Sequence, residues 1–433
     1  MTDLLAWQAI IALTTATFTR PSFELFSQIV SGWVLCPVRR TITRILPTAD
    51  PDREHAHDAF HRLFRDAAWE TCLLWRSLVI PLVSELCSPP LPLLLLVDDT
   101  LVHKTGRNVN GAGVFRDAVR STKRKIVYAL GLNIVVLCLC VRVPFSDQPL
   151  ALPVNFRLYR KGGASHVALT VEMLQELTKW LPEHRFTLVG DGAYAPLAKC
   201  DLPRTHVRSR MRHDAALFDF PAPRRPGQRG PTRKKGDRLP KLPQMATQTS
   251  SNQWKLTEVR LRGRTVKRLL FSRRVLWYYV TGGTPLLLVI VRDPERHEHD
   301  DFLFTTEIDA DPATVASQYA ARWAIEVSFR DIKQCLTPHH PQSWRRHGPE
   351  RTVMTGVWLQ SAVWLWFIRI WRHGTRSWPD RPWYTRKCSP SFADALTSLR
   401  AVLWRERLSP ISAAVPNLVE WSEALVWSLA RAG

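Results

Sequence analysis

The chain has 433 residues, 45% of them hydrophobic, a globular composition with room for two to four domains and at least one large core. Lysine and arginine number 60 against 38 acids, a net charge of +22; this points to a polyanionic partner, usually nucleic acid, over a basic surface kept for solubility, and it disfavours a carboxylate-pair glycosidase. The eight cysteines form no CxxC pair and no Cys/His cluster of zinc spacing, and read as reduced core cysteines of a cytoplasmic protein.

The N-terminal MTDLLAWQAIIALTTATFTR lacks the basic start and cleavage site of a signal peptide. Residues 1–88 read as helical. In PSFELFSQIVSGWVL, Phe23, Phe26, Ile29, Val30 and Trp33 share one helical face. PVRRTITRILP predicts a short basic helix carrying Arg39, Arg40 and Arg44, either solvated or set against DNA. SPPLP is a linker before the first strand.

Residues 89–211 alternate between strand and helix patterns. The first strand, Leu93 to Val97, runs into Asp98 and Asp99. A buried lone carboxylate is costly, so these acids either turn to solvent or meet a cation. The Gly-rich HKTGRNVNGAG and the basic RSTKRK that follow could lie near DNA or be an ordinary turn and a solvated run. The longest apolar run, Ile126 to Val141, is too short for a bilayer and contains Asn133, so two buried strands are expected. LALPVNFRLY is a further strand. Ser165 caps a helix over SHVALTVEMLQELTKWL, FTLVGDGAYA is a short strand ending on Asp191, and THVRSRM is the next.

Residues 212–300 read as a β-rich insertion: a flexible basic loop, RRPGQRGPTRKKGDRLPK, then hairpin strands around Gly282-Gly283. Residues 301–340 carry the clearest helix, DADPATVASQYAARWAIEVSFRDIKQCL, capped by Asp311 with Pro312 at its first position. His339-His340 has no metal partner at helical spacing and is expected to be solvated. Residues 341–433 read as helical, and the aromatic Val357 to Trp371 segment as core or a dimer contact.

At roughly 100° per residue, Tyr319, Arg322, Glu326 and Lys333 fall on one stripe of that helix. A solvated ion-paired face is the ordinary reading of such a stripe, but Glu326 lies in the apolar WAIEVSF. Two strands ending on acids, Asp98 (or Asp99) and Asp191, plus Glu326 on a helix, can meet at the carboxyl edge of a mixed α/β sheet. Three carboxylates there suit Mg²⁺ or Mn²⁺, and two such ions about 3.5–4 Å apart serve in-line phosphoryl displacement.

These motifs resemble the DDE cut-and-paste transposases of bacterial insertion sequences, within the RNase H-like superfamily. The resemblance lies in VDDT around Asp98, LVGDGAY around Asp191, and a Tyr-x2-Arg-x3-Glu-x6-Lys signature in YAARWAIEVSFRDIK, and spans roughly residues 90–336. It implies an RNase H-like catalytic domain (89–211 and 301–340) interrupted by the β-rich insertion, with a helical DNA-end-binding region at 1–88 and a helical region at 341–433 that would serve dimerisation. It further implies that Asp98, Asp191 and Glu326 are catalytic and hold two Mg²⁺ ions, Mn²⁺ substituting, with Asp99 the second choice for the first acid. Tyr319, Arg322 and Lys333 would contact phosphates of double-stranded transposon ends. The implied activity is end cleavage through a DNA hairpin, then strand transfer, by a homodimer on paired inverted repeats in the cytoplasm, at the bacterial nucleoid. Relatives hold a flipped base with an insertion-domain aromatic; Trp254 and Trp277 are the candidates, with core packing the commoner role for either. The alternatives are a stand-alone RNase H-like nuclease and a catalytically silent, transposase-derived DNA-binding protein.

Overall fold

The computed structural model describes residues 2–106, 108–122, 124–224, 231–374, 387–414 and 418–432. Arg107 of the Gly-rich segment, Lys123 of the basic run and residues 225–230 of the basic loop lie outside the described residues.

Five helices open the chain: α1 (Asp3–Ala12), α2 (Arg20–Leu35), α3 (Ile42–Ala49), α4 (His57–Arg65) and α5 (Thr71–Leu86). Phe26, Ile29, Val30 and Trp33 of α2 are fully buried, as their spacing predicts. The basic helix is shorter than expected. Thr41 caps α3 by accepting the Arg44 N–H, so Arg39 and Arg40 precede the helix. Arg40 is buried and donates to the Trp33 carbonyl and to Thr337 Oγ1, so it is structural rather than a surface cation.

Ten strands form one sheet: β1 (Leu93–His103), β2 (Gly113–Arg116), β3 (Tyr128–Val143), β4 (Ser146–Tyr159), β5 (Phe186–Val189), β6 (Thr205–Arg210), β7 (Lys255–Leu261), β8 (Arg264–Leu276), β9 (Pro285–Arg292) and β10 (Asp301–Thr305). Strands β4–β3–β1–β5–β6 lie side by side, with β3 antiparallel to β1 and with β5 and β6 parallel to it. This is the RNase H-like arrangement. Antiparallel pairing of β10 to β6 carries the sheet on through β9, β8 and β7. The strands of 212–300 therefore extend the same sheet. The apolar run expected as two strands is one, β3, because Asn133 does not break it: its amide donates to Asp99 Oδ2 at 3.1 Å.

Helix α6 (His166–Trp180) starts at Ser165, whose hydroxyl accepts the Ala168 N–H, and packs on β3 and β4. Two short helices, α7 (Leu242–Gln248) and α8 (Tyr278–Thr281), lie among the added strands, followed by α9 (Pro312–Ala321) and α10 (Trp323–Asp331). Next comes α11 (Gly348–Arg372), then α12 (Phe392–Ala414) and α13 (Leu418–Arg431). Helix α11 rests on β4 and is covered by α1, α4, α5 and α12, so its aromatic run is core. It is the one described helix long and apolar enough to cross a bilayer, and it is buried almost throughout. All eight cysteines are free thiols.

Candidate active site

Strand β1 does not stop at the acids; it runs six residues past Val97, to His103. What stops is its neighbour. Parallel pairing with β5 ends at Leu96–Val189, while pairing with β3 continues through Asp98–Val136 and Asp99–Val135. Beyond β5 the chain turns at Asp191, whose carboxylate accepts the Ala193 N–H at 2.8 Å and caps the short 3₁₀ segment Gly192–Lys199. A crevice therefore opens beside Asp98, as at other sheet edges where a strand ends and the chain leaves the plane.

Successive strand residues face opposite sides of a sheet, and the two aspartates separate accordingly. Asp98 meets Arg322 at the start of α10, whereas Asp99 accepts from Asn133 and lies 3.5 Å from the Tyr194 hydroxyl and 3.8 Å from His166 of α6. Asp98, Asp99, Asp191, Arg322, Glu326 and Lys333 border one cleft of about 650 Å³. Tyr319 does not reach it. It lines the adjoining cavity with Arg210, Arg262 and His299, and Arg322 and Trp323 form the wall between the two.

The helix expected as one unit is wound unevenly. The Arg322 N–H donates to the Tyr319 carbonyl and the Ile325 N–H to that of Arg322, three-residue steps that tighten the chain between α9 and α10. A π turn over Ile332–Leu336 loosens it again, and the Thr337 N–H reaches the Ile332 carbonyl five residues back. Within that turn the Lys333 Nζ donates to Thr100 Oγ1 at 2.7 Å. π turns are rare and concentrate at functional sites. This one is clamped by Trp33 Nε1 on the Leu336 carbonyl and by Lys104 Nζ, which donates to the carbonyls of Pro338, His339 and Pro341. His339-His340 is not a solvated pair: His340 Nδ1 accepts the Arg40 N–H, and burial holds His339 down at about 4.

The electrostatics of the cleft are those of crowded acids. Burial first, and then the nearby charges of Asp191 and Asp99, push Asp98 up to about 7 despite the Arg322 guanidinium. Arg322 bridges two carboxylates, Asp98 Oδ2 at 3.3 Å and Glu326 Oε1 at 2.9 Å. Burial lowers its pKa, but Asp98, Tyr319 and Glu326 together hold it above the ordinary value. Burial lowers that of Lys333, against the pull of Asp117. With Arg322 between them, the carboxylate oxygens of Asp98, Asp191 and Glu326 do not all lie within 4.8 Å of one another. The donor set still fits hard divalent cations: three carboxylates, all oxygen donors, face one cleft. Among the described residues the one group of three ligand-type side chains that close together is Asp50, Glu54 and His55. There Asp50 accepts the backbone N–H of both Glu54 and His55, which closes a turn.

Thr100 of the VDDT motif is joined by Asn133, His166 and Tyr194 in a hydrogen-bonding surround, and these last three the motifs did not single out. Thr100 and Tyr194 stand inside the quoted acid motifs; Asn133 and His166 carried no signal beyond being polar in apolar or helix-cap settings. Trp277 belongs to the core, and Trp254 is partly buried against it. Trp277 is buried edge-on to Phe304, and Trp254 lies beneath the Arg292 guanidinium and beside Phe271.

The sequence model of a family described as DDE superfamily endonuclease matches residues 12–269, more than half of the chain, and the chain belongs to that family. The matched stretch holds Asp98 and Asp191 and ends before Glu326. No curated protein matches the chain.

Proposed function

We propose that this DDE superfamily endonuclease is a cut-and-paste transposase that binds terminal inverted repeats as a homodimer. It cleaves double-stranded DNA through a hairpin on the transposon end and transfers the freed strand to target DNA. The observation that carries the reading is the cleft itself: acids from β1, from the turn after β5 and from α10 face one another, with Arg322, Arg330 and Lys333 on the walls. A site with catalytic carboxylates and phosphate-binding cations side by side matches phosphoryl transfer on DNA, and the Tyr-x2-Arg-x3-Glu-x6-Lys spacing narrows it to the hairpin-forming group.

Asp98, Asp191 and Glu326 would hold two Mg²⁺ ions, which supply an acidified water and charge neutralisation at the phosphoryl oxygens. The chain's own groups do the rest. Arg322 presents a planar fork to a phosphate, Lys333 a point charge, and Tyr319 a hydroxyl from the neighbouring cavity. Thr100 fixes the Lys333 ammonium over the cleft at 2.7 Å. Asn133 engages Asp99, whereas Asp98 meets Arg322 on the α10 side, which favours Asp98 as the first acid. The exposed Arg39 and Arg44 leave residues 1–88 a basic surface for end recognition.

The test is cleavage of labelled DNA bordering the chain's own coding sequence, in Mg²⁺ and in EDTA. Nicking at the end is expected for the wild type and lost in Glu326→Gln, Asp191→Asn and Asp98→Asn but kept in Asp99→Asn. A wild type that binds the end and never cuts it, or acid variants that cut equally well, would overturn the catalytic reading.

A further inference from the structure

We propose that the turn between β2 and β3 is a DNA-distorting wedge, whose exposed Val119 enters the base stack beside the phosphodiester held in the cleft. The inference rests on the DNA-cleaving reading above and assigns a surface that reading leaves unused.

The turn is closely hydrogen-bonded. Asp117, 2% exposed, organises it: Oδ1 accepts the N–H of Val119 at 3.1 Å and of Arg120 at 3.2 Å, and His103 Nε2 donates to Oδ2 at 2.7 Å. The backbone closes around it, with the Asp117 N–H on the Val127 carbonyl, the Ser121 N–H on that of Asp117 and the Thr122 N–H on that of Lys125. The Ser121 hydroxyl accepts the Val127 N–H and tightens the base.

What this scaffold presents is apolar. Val119 is 83% exposed, more than any other large hydrophobic among the described residues. A hydrogen-bonded turn that holds a valine in water gains nothing for folding from that side chain. Ala118 and Val119 form a wall of the same cleft that Asp98, Asp191 and Glu326 border. Val114, Ile126 and Tyr128 are exposed at the base of the turn. In the same stretch of chain Arg116, Arg120, Arg124 and Lys125 are exposed, Arg120 pairing with the buried Asp117 at 3.4 Å, and Asp117 is the only acid there.

An exposed apolar side chain flanked by cations is the pattern with which proteins unstack a base step while gripping the flanking phosphates. A protein partner would have to meet those cations as well as the valine, which a duplex does by its own charge.

The test uses the full chain and a short duplex of the DNA bordering its coding sequence, with Ca²⁺ in place of Mg²⁺ and 2-aminopurine at successive steps around the cleaved phosphate. The wild type is expected to raise the fluorescence at one step. Val119→Ala and Val119→Ser should lose that rise at least about three-fold, with Kd changed less than about three-fold and cleavage in Mg²⁺ slowed about ten-fold. A mismatch at that step should restore cleavage to Val119→Ala. Arg124→Ala and Lys125→Ala should instead weaken binding to every duplex and lower its salt slope by about one each. Unchanged fluorescence and cleavage in the Val119 variants would sink the wedge alone. Val119→Glu that dissociates a dimer in sedimentation yet binds DNA normally would make the turn a protein contact. A wild type that binds no duplex would remove the DNA reading and the wedge with it.

Discussion

Asp98→Asn should stabilise the chelated protein while abolishing cleavage, and the pH dependence of that gain tests the reading of the cleft. Asp98 sits at about 7 against an ordinary 3.8, chiefly through burial. A carboxyl raised in the folded state makes folding take up a proton between those values, so stability falls as pH climbs through that window. Above about pH 7 the whole cost is present, at most about 4 kcal/mol. Asparagine removes it but gives Arg322 a neutral acceptor in place of a charged one, a loss of about 1–2 kcal/mol. The net expected near pH 8 in EDTA is a gain of about 2–3 kcal/mol. Unfolding entropy per residue scales this to a rise in Tm of about 2–3 °C for a chain of this length. Near pH 5 the cost in the wild type falls to about 1.5 kcal/mol and the two proteins should melt together. Mg²⁺ at about a hundred times its Kd should then restore roughly 2.7 kcal/mol to the wild type and nothing comparable to the variant. The assay is thermal unfolding at the two pH values, with EDTA and with Mg²⁺. A variant that is destabilised equally at both pH values would refute the reasoning, because Asp98 would then be an ordinary, adequately paired carboxylate.

Lys333→Met should leave the fold intact by circular dichroism, cut the cleavage rate about ten-fold or more, and lower the salt slope of duplex binding by about one, read by anisotropy titrations. Lys104→Met strands the three carbonyls that the ammonium now joins after the π turn; a loss of about 2–3 kcal/mol is expected in urea unfolding. Gly32→Ala places a Cβ 2.6 Å from that of Ala49 and 2.7 Å from its Cα, so α2 and α3 must part. Destabilisation of about 1–3 kcal/mol is expected, by the same measurement.

The parts of the site written in local order were legible in the sequence. An apolar run ending on acids, a Gly-Asp-Gly turn after a short strand and a helix with Asp and Pro at its start depend on neighbours a few positions away. Each yields the expected element: β1, β5 with the Asp191 cap, and α9. The parts that depend on distant partners were not legible. Arg40 reads as a surface cation until Thr337 and His340, some 300 positions on, close over it. Asn133 looks like a strand breaker until Asp99 of the neighbouring strand accepts from it. The continuation of β1 past its acids depends on β3 persisting where β5 ends, a register no local pattern records. The uneven winding at Arg322 and Lys333 has the same origin. A uniform stripe places Tyr319 with the other three residues, and the tightened step helps put it in the next cavity.

Arg322 links these geometric facts to how the cleft should work. One guanidinium spans Asp98 and Glu326, and both contacts are charge-assisted. In metal-free protein it is the counter-ion that lets two acids share a partly buried space, at side-chain exposures of 19% and 36%. A divalent ion drawn to the same carboxylates competes with it, and a displaced guanidinium is left next to the place where a phosphate would bind. Metal and DNA should therefore bind cooperatively, each favouring the state in which Arg322 leaves the acids. Mg²⁺ should tighten duplex binding by about five-fold or more beyond what the same ionic strength of Na⁺ produces, and DNA should tighten Mg²⁺ binding by the same factor. Arg322→Ala should bind the ion more tightly without DNA, because no guanidinium competes, and should lose the mutual enhancement. Calorimetric titrations of ion and duplex in either order measure both factors. Equal Mg²⁺ affinity in wild type and Arg322→Ala would mean that the bridge seen between Asp98 and Glu326 does not oppose the ion, and the coupling argued from it would fail.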